Sequence, residues 1–146
     1  MFMYDNEMHL QFRSLSQNEA FARAAVAAFI TQLNPTIAEI TDIRTAVSEA
    51  VTNAIVHGYA NEEGTVYLDC YICGANCMIS VRDEGVGIED ISKARQPFFT
   101  TKPDLERSGM GFTVMETFME VVDVKSTPGF GTEVTLQKRI GRPDAA

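Results

Sequence analysis

The chain has 146 residues, of which 45% are hydrophobic, and this is enough for one well-formed core and too little for a second. A formal net charge of −8 argues against a nonspecific nucleic-acid binder, because Lys and Arg supply most of that affinity. The N-terminus lacks a signal-peptide pattern, and the longest apolar stretch, FARAAVAAFI, is too short to span a membrane. We therefore expect a single cytoplasmic domain over residues 1–146.

A strand and a helix are predicted first along the chain. Apolar and polar residues alternate over 8–13, which is typical of a half-buried strand. Ser16 and Glu19 form a capping-box pattern that predicts a helix over about 17–33. The apolar stripe predicted for this helix is Phe21, Ala24, Ala25, Ala28, Phe29 and Leu33.

A second helix follows directly. Asn34 and Pro35 predict its N-cap and its first helical residue, and Gly58 fits its C′ position. Its predicted apolar stripe is Ile40, Ile43, Val47, Ala50, Val51, Ala54 and Ile55.

The second half of the chain favours a sheet interrupted by one helix. Four strands are predicted, at 65–72, 77–83, 121–126 and 132–138. An irregular, glycine-rich segment over 84–111 precedes a third helix over about 112–120, and a segment of this kind is usually functional. This element order favours an α+β two-layer sandwich with helices on one face of a mixed, mainly antiparallel sheet.

Three cysteines, Cys70, Cys73 and Cys77, have a spacing that invites a zinc interpretation. Cys70 and Cys77 share the strand parity of core residues, and Cys73 lies at the turn between two predicted strands. Reduced thiols, buried or lining the turn, are the alternative that we favour over a metal site.

Polar residues also lie on the second helix. Glu49, Asn53 and His57 fall within about 80° of one another around an ideal helix. They form either a plain solvent face or a site in which Asn53 binds Mg²⁺ and Glu49 accepts a proton. We expect His57 to interact with the helix end rather than with a metal.

Two glycine-containing motifs follow. Strand parity points Asp83 toward the core, with Gly85 and Gly87 after it, which indicates either a close ligand approach or a strand-ending turn. Gly109 and Gly111 open the third helix, where free N–H groups can bind an anion, although a flexible junction has the same pattern. The upstream loop carries further hydroxyls and cations, in a lid or as solvated side chains: Thr100, Thr101, Lys102 and Arg107.

Together these motifs resemble the GHKL superfamily of ATPases and kinases. EAVTNA is similar to its N box, DEGVG to its first glycine box, GMG to its second and GFGT to its third. The similarity extends over about 7–138 and is closest to the anti-sigma factor serine kinases, above all the sporulation anti-sigma F factors. The resemblance implies the Bergerat-type α/β sandwich.

The resemblance also implies residue roles. Asp83 would bind the adenine amino group, Asn53 would bind Mg²⁺, and Glu49 would be the general base. The other nucleotide-pocket and phosphate-contacting residues would be Gly85, Gly87, Thr100, Thr101, Lys102, Arg107, Ser108, Gly109, Met110, Gly111 and Thr132. Arg23 aligns with a partner-contacting arginine of the family, and a solvated helix arginine is the alternative.

The function implied is that of an ATP-dependent protein serine kinase that is also an anti-sigma factor. Such a protein binds a sporulation sigma factor as a homodimer, uses ATP with Mg²⁺, and phosphorylates a serine of an anti-anti-sigma factor. Direct binding to nucleic acid or membrane is not expected. The alternatives are a general-stress anti-sigma kinase, a stand-alone histidine-kinase-like ATPase domain, and a nucleotide-binding sigma inhibitor without kinase activity.

Overall fold

Residues 3–60, 62–96 and 111–141 are described by the computed structural model. Their strands form one sheet of five strands: β1 (Asn6–Arg13), β2 (Thr65–Cys73), β3 (Asn76–Asp83), β4 (Val121–Thr127) and β5 (Gly131–Arg139). The strand order is β1-β2-β3-β5-β4, and all four pairings are antiparallel. The parallel component of the expected mixed sheet is therefore absent from the described strands.

The helices cover one face of this sheet. They are α1 (Gln17–Ile30), α2 (Ile37–Thr52), α3 (Ile91–Ala94) and α4 (Gly111–Phe118), and a short 3₁₀ turn, Thr31–Leu33, follows α1. Helix α2 lies in the middle of the layer, where it packs against both α1 and α4. The two-layer α+β sandwich is confirmed, and α3 is a helix that the sequence patterns did not predict.

The core lies between the helices and the sheet, and strand parity explains its composition. Alternate residues of the central strands point toward the helices, as the period of two requires. The most deeply buried members of the core include Ile43, Val47, Val51, Val66, Leu68, Ile79, Val81, Met115 and Leu136. The predicted apolar stripe of α2 is confirmed, since its members are buried or half-buried.

Helix α2 begins two residues later than the sequence patterns predicted. Its N-cap is Thr36, whose hydroxyl accepts from the Glu39 N–H at 3.1 Å, while the Glu39 carboxylate accepts from the Thr36 N–H at 2.9 Å. This capping box takes the place of the predicted cap at Asn34, which instead ends the 3₁₀ turn in the left-handed conformation. Pro35 consequently precedes the N-cap rather than opening the helix.

Helix α1 differs from its prediction in two details. Ser16 precedes the helix but its side chain makes no cap hydrogen bond, and the Glu19 carboxylate instead lies 3.6 Å from the Arg23 guanidinium. The predicted apolar stripe is correct only in part: Phe29 and Leu33 pack against the core, whereas Phe21 is 54% exposed. Ala24 and Ala28 are exposed as well, and the residues that α1 buries are Ala22, Val26 and Ile30.

The cysteines occupy the places that strand parity predicted. Cys70 and Cys77 are buried in the core, and Cys73 is exposed at the end of β2. Burial raises the pKa of the Cys70 thiol to about 12 and that of the Cys77 thiol to about 11. These two thiols are therefore protonated and unreactive core residues.

Candidate functional site

A cavity of about 600 Å³ opens between the end of α2, the adjoining ends of β3 and β5, and the start of α4. Five residues that the sequence singled out as nucleotide-site candidates line it: Asn53, Asp83, Gly87, Gly111 and Thr132. His57 lines it as well. Segments far apart in the sequence therefore converge on one cavity.

Asp83 is the most unusual residue of this cavity, because it is a carboxylate that is only 5% exposed. Its Oδ1 accepts from the Gly85 N–H at 2.9 Å, and the backbone N–H of Thr132 also donates to the carboxylate. Burial raises the pKa of Asp83 from 3.8 to about 6, against the opposing effect of these two donors and of Arg82. At neutral pH the cavity therefore contains a buried, ionised hydrogen-bond acceptor.

The end of α2 fits closely against the loop that follows Asp83. The helix widens into a π-helical turn over Asn53–Gly58, in which the Tyr59 N–H donates to the carbonyl of Ala54, five residues earlier, at 3.0 Å. Gly58 belongs to this turn, so its predicted C′ position is wrong. The widened turn leaves the carbonyl of Gly58 available to accept from the Val86 N–H at 2.8 Å.

The contact between the two segments requires glycine on both sides. A Cβ added to Gly85 would lie 1.8 Å from the carbonyl oxygen of Gly58, and a Cβ added to Gly58 would lie 2.6 Å from Cγ of Asp83. Helix α2 thus packs its backbone directly against the carboxylate and the loop that carries it. This mutual approach explains why a glycine ends the HG sequence at 57–58 and another ends the DEG sequence at 83–85.

Gly87 supports the same loop from the other side. Its φ of +76° is a left-handed conformation, and an added Cβ would lie 2.4 Å from the carbonyl oxygen of Thr127. The Gly129 N–H, in the turn between β4 and β5, donates to the carbonyl of Val86 at 2.7 Å. The loop after β3 is therefore clamped between α2 and the β4–β5 turn.

Glu49 does not line the cavity that contains Asn53. It lies one helical turn earlier, in a neighbouring cleft of about 330 Å³ between α1 and α2. The residues of that cleft are Arg23, Thr41, Arg44, Thr45, Ser48 and Glu49. The structure thus brings Glu49 together with Arg23, a pairing that the sequence patterns did not suggest.

Comparisons with known proteins agree with this geometry. A family model described as a histidine kinase-like ATPase domain matches residues 12–138. Anti-sigma F factors from Bacillus thuringiensis (strain Al Hakam), Bacillus mycoides (strain KBAB4) and Bacillus anthracis (strain A0248) are each 58% identical over 141 residues, covering 96% of this chain and 97% of theirs. The chain belongs to the anti-sigma F factors, a family with the histidine kinase-like ATPase domain. The resemblance drawn from the sequence motifs is confirmed.

A solved structure supports the fold of this family member. A crystal structure of the RsbU and RsbW domains of a Mycobacterium tuberculosis protein matches it with a TM-score of 0.68 at 23% identity, covering 94% of this chain and 33% of that one. Because the identity is low, this match bears on the fold alone. Membership of an ATPase-domain family identifies the chain as a nucleotide-binding protein. Each of the four sequence motifs contributes at least one described residue to the cavity lining.

Several predicted site residues cannot be placed in the cavity. Thr100, Thr101, Lys102, Arg107, Ser108, Gly109 and Met110 lie outside the described residues. Gly85 belongs to the clamped loop rather than to the cavity lining.

The sequence patterns missed one wall of the cavity, which α3 and the residues before it form. Its lining side chains are Ile88, Glu89, Asp90, Lys93 and Ala94. Asp90 is the N-cap of α3, and its Oδ1 accepts from the Lys93 N–H at 3.0 Å. The sequence signal for α3 was Asp90, a possible N-cap three residues before Lys93, but such a residue alone predicts only a short turn.

No helix of the described residues has the length and hydrophobicity that crossing a bilayer requires.

Proposed function

We propose that this anti-sigma F family member is an ATP-dependent protein serine kinase that binds and inhibits a sporulation sigma factor. In this proposal, residues 1–146 form one kinase domain with its core at about 7–138. The observation that carries the proposal is the buried Asp83 carboxylate in a cavity where the N box and three glycine boxes converge. Such a cavity, with few and convergent polar groups, is suited to a nucleotide.

Asp83 is proposed to accept a hydrogen bond from the adenine amino group. An ionised carboxylate supplies only acceptors, so it suits an amino donor and disfavours a carbonyl oxygen in the same place. Thr132 is paired with Asp83 across β3 and β5 and would border the same base. The remaining phosphate contacts are proposed for Gly111 at the start of α4 and for residues outside the described ranges, namely Thr100, Thr101, Lys102, Arg107, Ser108, Gly109 and Met110.

Asn53 is proposed as the protein ligand of Mg²⁺. The described residues contain no group of three or more His, Cys, Asp or Glu side chains that could hold a metal ion. Mg²⁺ bound with ATP needs no such group, because phosphate oxygens and water fill most of its coordination positions. Asn53 lines the cavity, so its amide oxygen would fill one of the remaining positions, and the ion would neutralise charge on the transferring phosphoryl group.

The cleft that holds Glu49 is proposed to receive the acceptor serine of an anti-anti-sigma factor. Glu49 would accept the serine proton as general base, and Arg23 would contact the partner. Both side chains are accessible from the cleft, since Arg23 keeps 40% of its side-chain surface exposed and Glu49 is half-buried. A base beside, rather than inside, the nucleotide cavity suits a transfer to a second protein.

The kinase proposal is tested with γ-labelled ATP, Mg²⁺ and the candidate antagonist. Acid-stable label on the antagonist indicates phosphoserine, whereas acid-labile label indicates phosphohistidine and contradicts the proposal. We expect Glu49→Ala to bind ATP normally and to transfer phosphate at least about 100-fold more slowly. The control is Glu63→Gln, an exposed glutamate paired with Arg13, which should transfer at the normal rate.

The partner proposal is tested by pull-down from host lysate, once with ATP and once with ADP. A sporulation sigma factor and a small antagonist are expected, and their exchange between the two nucleotides would support nucleotide-dependent partner choice. Recovery of a general-stress sigma factor instead would contradict the assignment to sporulation. Light scattering of the purified protein tests the proposed homodimer.

A further inference from the structure

Ser126, at the end of β4, connects two parts of the cavity wall without lining the cavity itself. Its hydroxyl oxygen accepts from the Ile88 N–H at 2.7 Å and lies 2.8 Å from Oγ1 of Thr132. It also lies 3.0 Å from the carbonyl oxygen of Gly131. A single half-buried hydroxyl thus contacts the glycine-rich loop and the β5 residue that pairs with Asp83.

The hydrogen count at Ser126 leaves two arrangements. A serine hydroxyl has one hydrogen to donate, and the carbonyl of Gly131 and Oγ1 of Thr132 compete for it. In the first, Ser126 donates its hydrogen to the carbonyl of Gly131, and the Thr132 hydroxyl donates to Ser126 and can only accept from a ligand. In the second, Ser126 donates to Oγ1 of Thr132, and the hydrogen of the Thr132 hydroxyl is free to point into the cavity.

The second arrangement complements an adenine ring. Asp83 presents acceptors only, and adenine carries a ring nitrogen acceptor, N1, directly beside its amino donor. A base whose amino group faces Asp83 therefore brings N1 toward a neighbouring donor. Thr132 is the cavity residue paired with Asp83, and it supplies that donor only if Ser126 donates to it.

We propose that Ser126 is a positioning residue for base recognition, which orients the Thr132 hydroxyl as a donor to adenine N1. This inference rests on the proposed nucleotide site and adds a residue behind it. Ser126 does not touch the nucleotide and acts only through Thr132. The Ile88 contact holds the serine oxygen in place, since the loop that carries Ile88 is clamped on both sides.

The test is a double-mutant cycle on ATP affinity, measured by calorimetry with Mg²⁺. Ser126→Ala should weaken ATP binding about fivefold, the worth of one neutral hydrogen bond. The same change in a Thr132→Val background should weaken it less than about 1.5-fold, because the hydroxyl that Ser126 orients is already gone. Ser126→Cys, a near-isosteric variant with a weak hydrogen-bonding group, should behave like Ser126→Ala.

A matched control is Ser80→Ala. Ser80 is also a strand serine with a hydrogen-bonded hydroxyl, but its partner is Glu133 and it does not line the cavity. Its replacement should leave ATP affinity unchanged. A parallel experiment changes the ligand instead of Thr132. The analogue 1-deaza-ATP keeps the amino group and lacks N1, so Ser126→Ala should bind it as well as the wild type does.

An equal loss of ATP affinity in both backgrounds, or an equal loss for ATP and 1-deaza-ATP, would overturn the proposal and leave Ser126 a structural residue. No loss in Ser126→Ala would overturn it as well. These outcomes are distinguishable from failure of the nucleotide site itself, because that failure appears as ATP binding retained by Asp83→Asn.

Discussion

Replacing Asp83 by asparagine is expected to stabilise the nucleotide-free protein while it abolishes nucleotide binding. The side chain is nearly isosteric, so the cavity and its contacts with Gly58 and Gly85 are kept. The change removes the cost of burying an ionised carboxylate. A functional group that destabilises its own fold is a signature of a binding site rather than of a structural contact.

The size of the effect follows from the pKa of Asp83. The pKa rises from 3.8 to about 6 on folding, a difference of about 2.2 units, and each unit corresponds to about 1.36 kcal/mol. The unfolded carboxyl group ionises first, so the wild type loses stability as the pH rises from about 4 to about 6 and then reaches a plateau. Asp83→Asn should therefore be more stable by about 3 kcal/mol at pH 8 and by about half of that at pH 5.

The assay is urea unfolding of nucleotide-free protein at pH 5 and pH 8, with ATP affinity measured at pH 8. Asp123→Asn, at an exposed carboxylate on β4, is the control and should change neither quantity. A gain in stability that does not depend on pH would refute the electrostatic reasoning. Lower stability of Asp83→Asn at pH 8 would show that its hydrogen bonds outweigh the burial of charge.

Three further predictions concern the stability of the fold. Gly85→Ala should destabilise the protein by about 1–3 kcal/mol in urea unfolding, because its methyl group meets the carbonyl of Gly58; unchanged stability would contradict the close packing. Thr36→Ala should cost about 1 kcal/mol and Ser16→Ala almost nothing, since only Thr36 caps its helix, and equal costs would refute the assigned caps. The pKa of His9 is raised by hydrogen bonds to two carboxylates, so its stabilising effect is present below pH 6.5 and lost above its folded pKa; a stability difference between wild type and His9→Gln that is the same at pH 6 and pH 8 would contradict this.

The strands were predictable because strand periodicity is strong where one face is buried. On β2 the buried Val66, Leu68, Cys70 and Ile72 alternate with half-buried residues, and this pattern specifies both the strand and the face. Helix starts were less predictable. Ser16 and Thr36 each begin a Ser/Thr-x-x-Glu pattern just before a helix, but only Thr36 makes the cap hydrogen bond. The backbone at Thr36 is extended, as an N-cap requires, whereas that at Ser16 is helical, and the sequence does not reveal this difference.

The apolar face of α1 shows a second limit. Alanines occupy six of the fourteen positions of this helix and spread over more than half of its circumference, so its sequence has little hydrophobic asymmetry and a large residue such as Phe21 dominates any pattern. The face that α1 buries is decided by its packing against α2, which has a much clearer stripe. A weakly amphipathic helix takes its orientation from its neighbours rather than from its own periodicity.

The candidate site was predictable as a set of residues and not as a geometry. An ideal helical period puts Glu49, Asn53 and His57 on one face, yet the helix widens from Asn53 onward and Glu49 lies in a different cleft from the other two. The cause of the widening is tertiary, since the turn brings Gly58 against Asp83 and its loop. The sequence pattern of the helix alone contains no information about its contact with β3, which lies about 25 residues later in the chain. The glycines that resembled a helix stop and a nucleotide motif are therefore better understood as a pair, in which each makes room for the other and together they hold the carboxylate at the cavity.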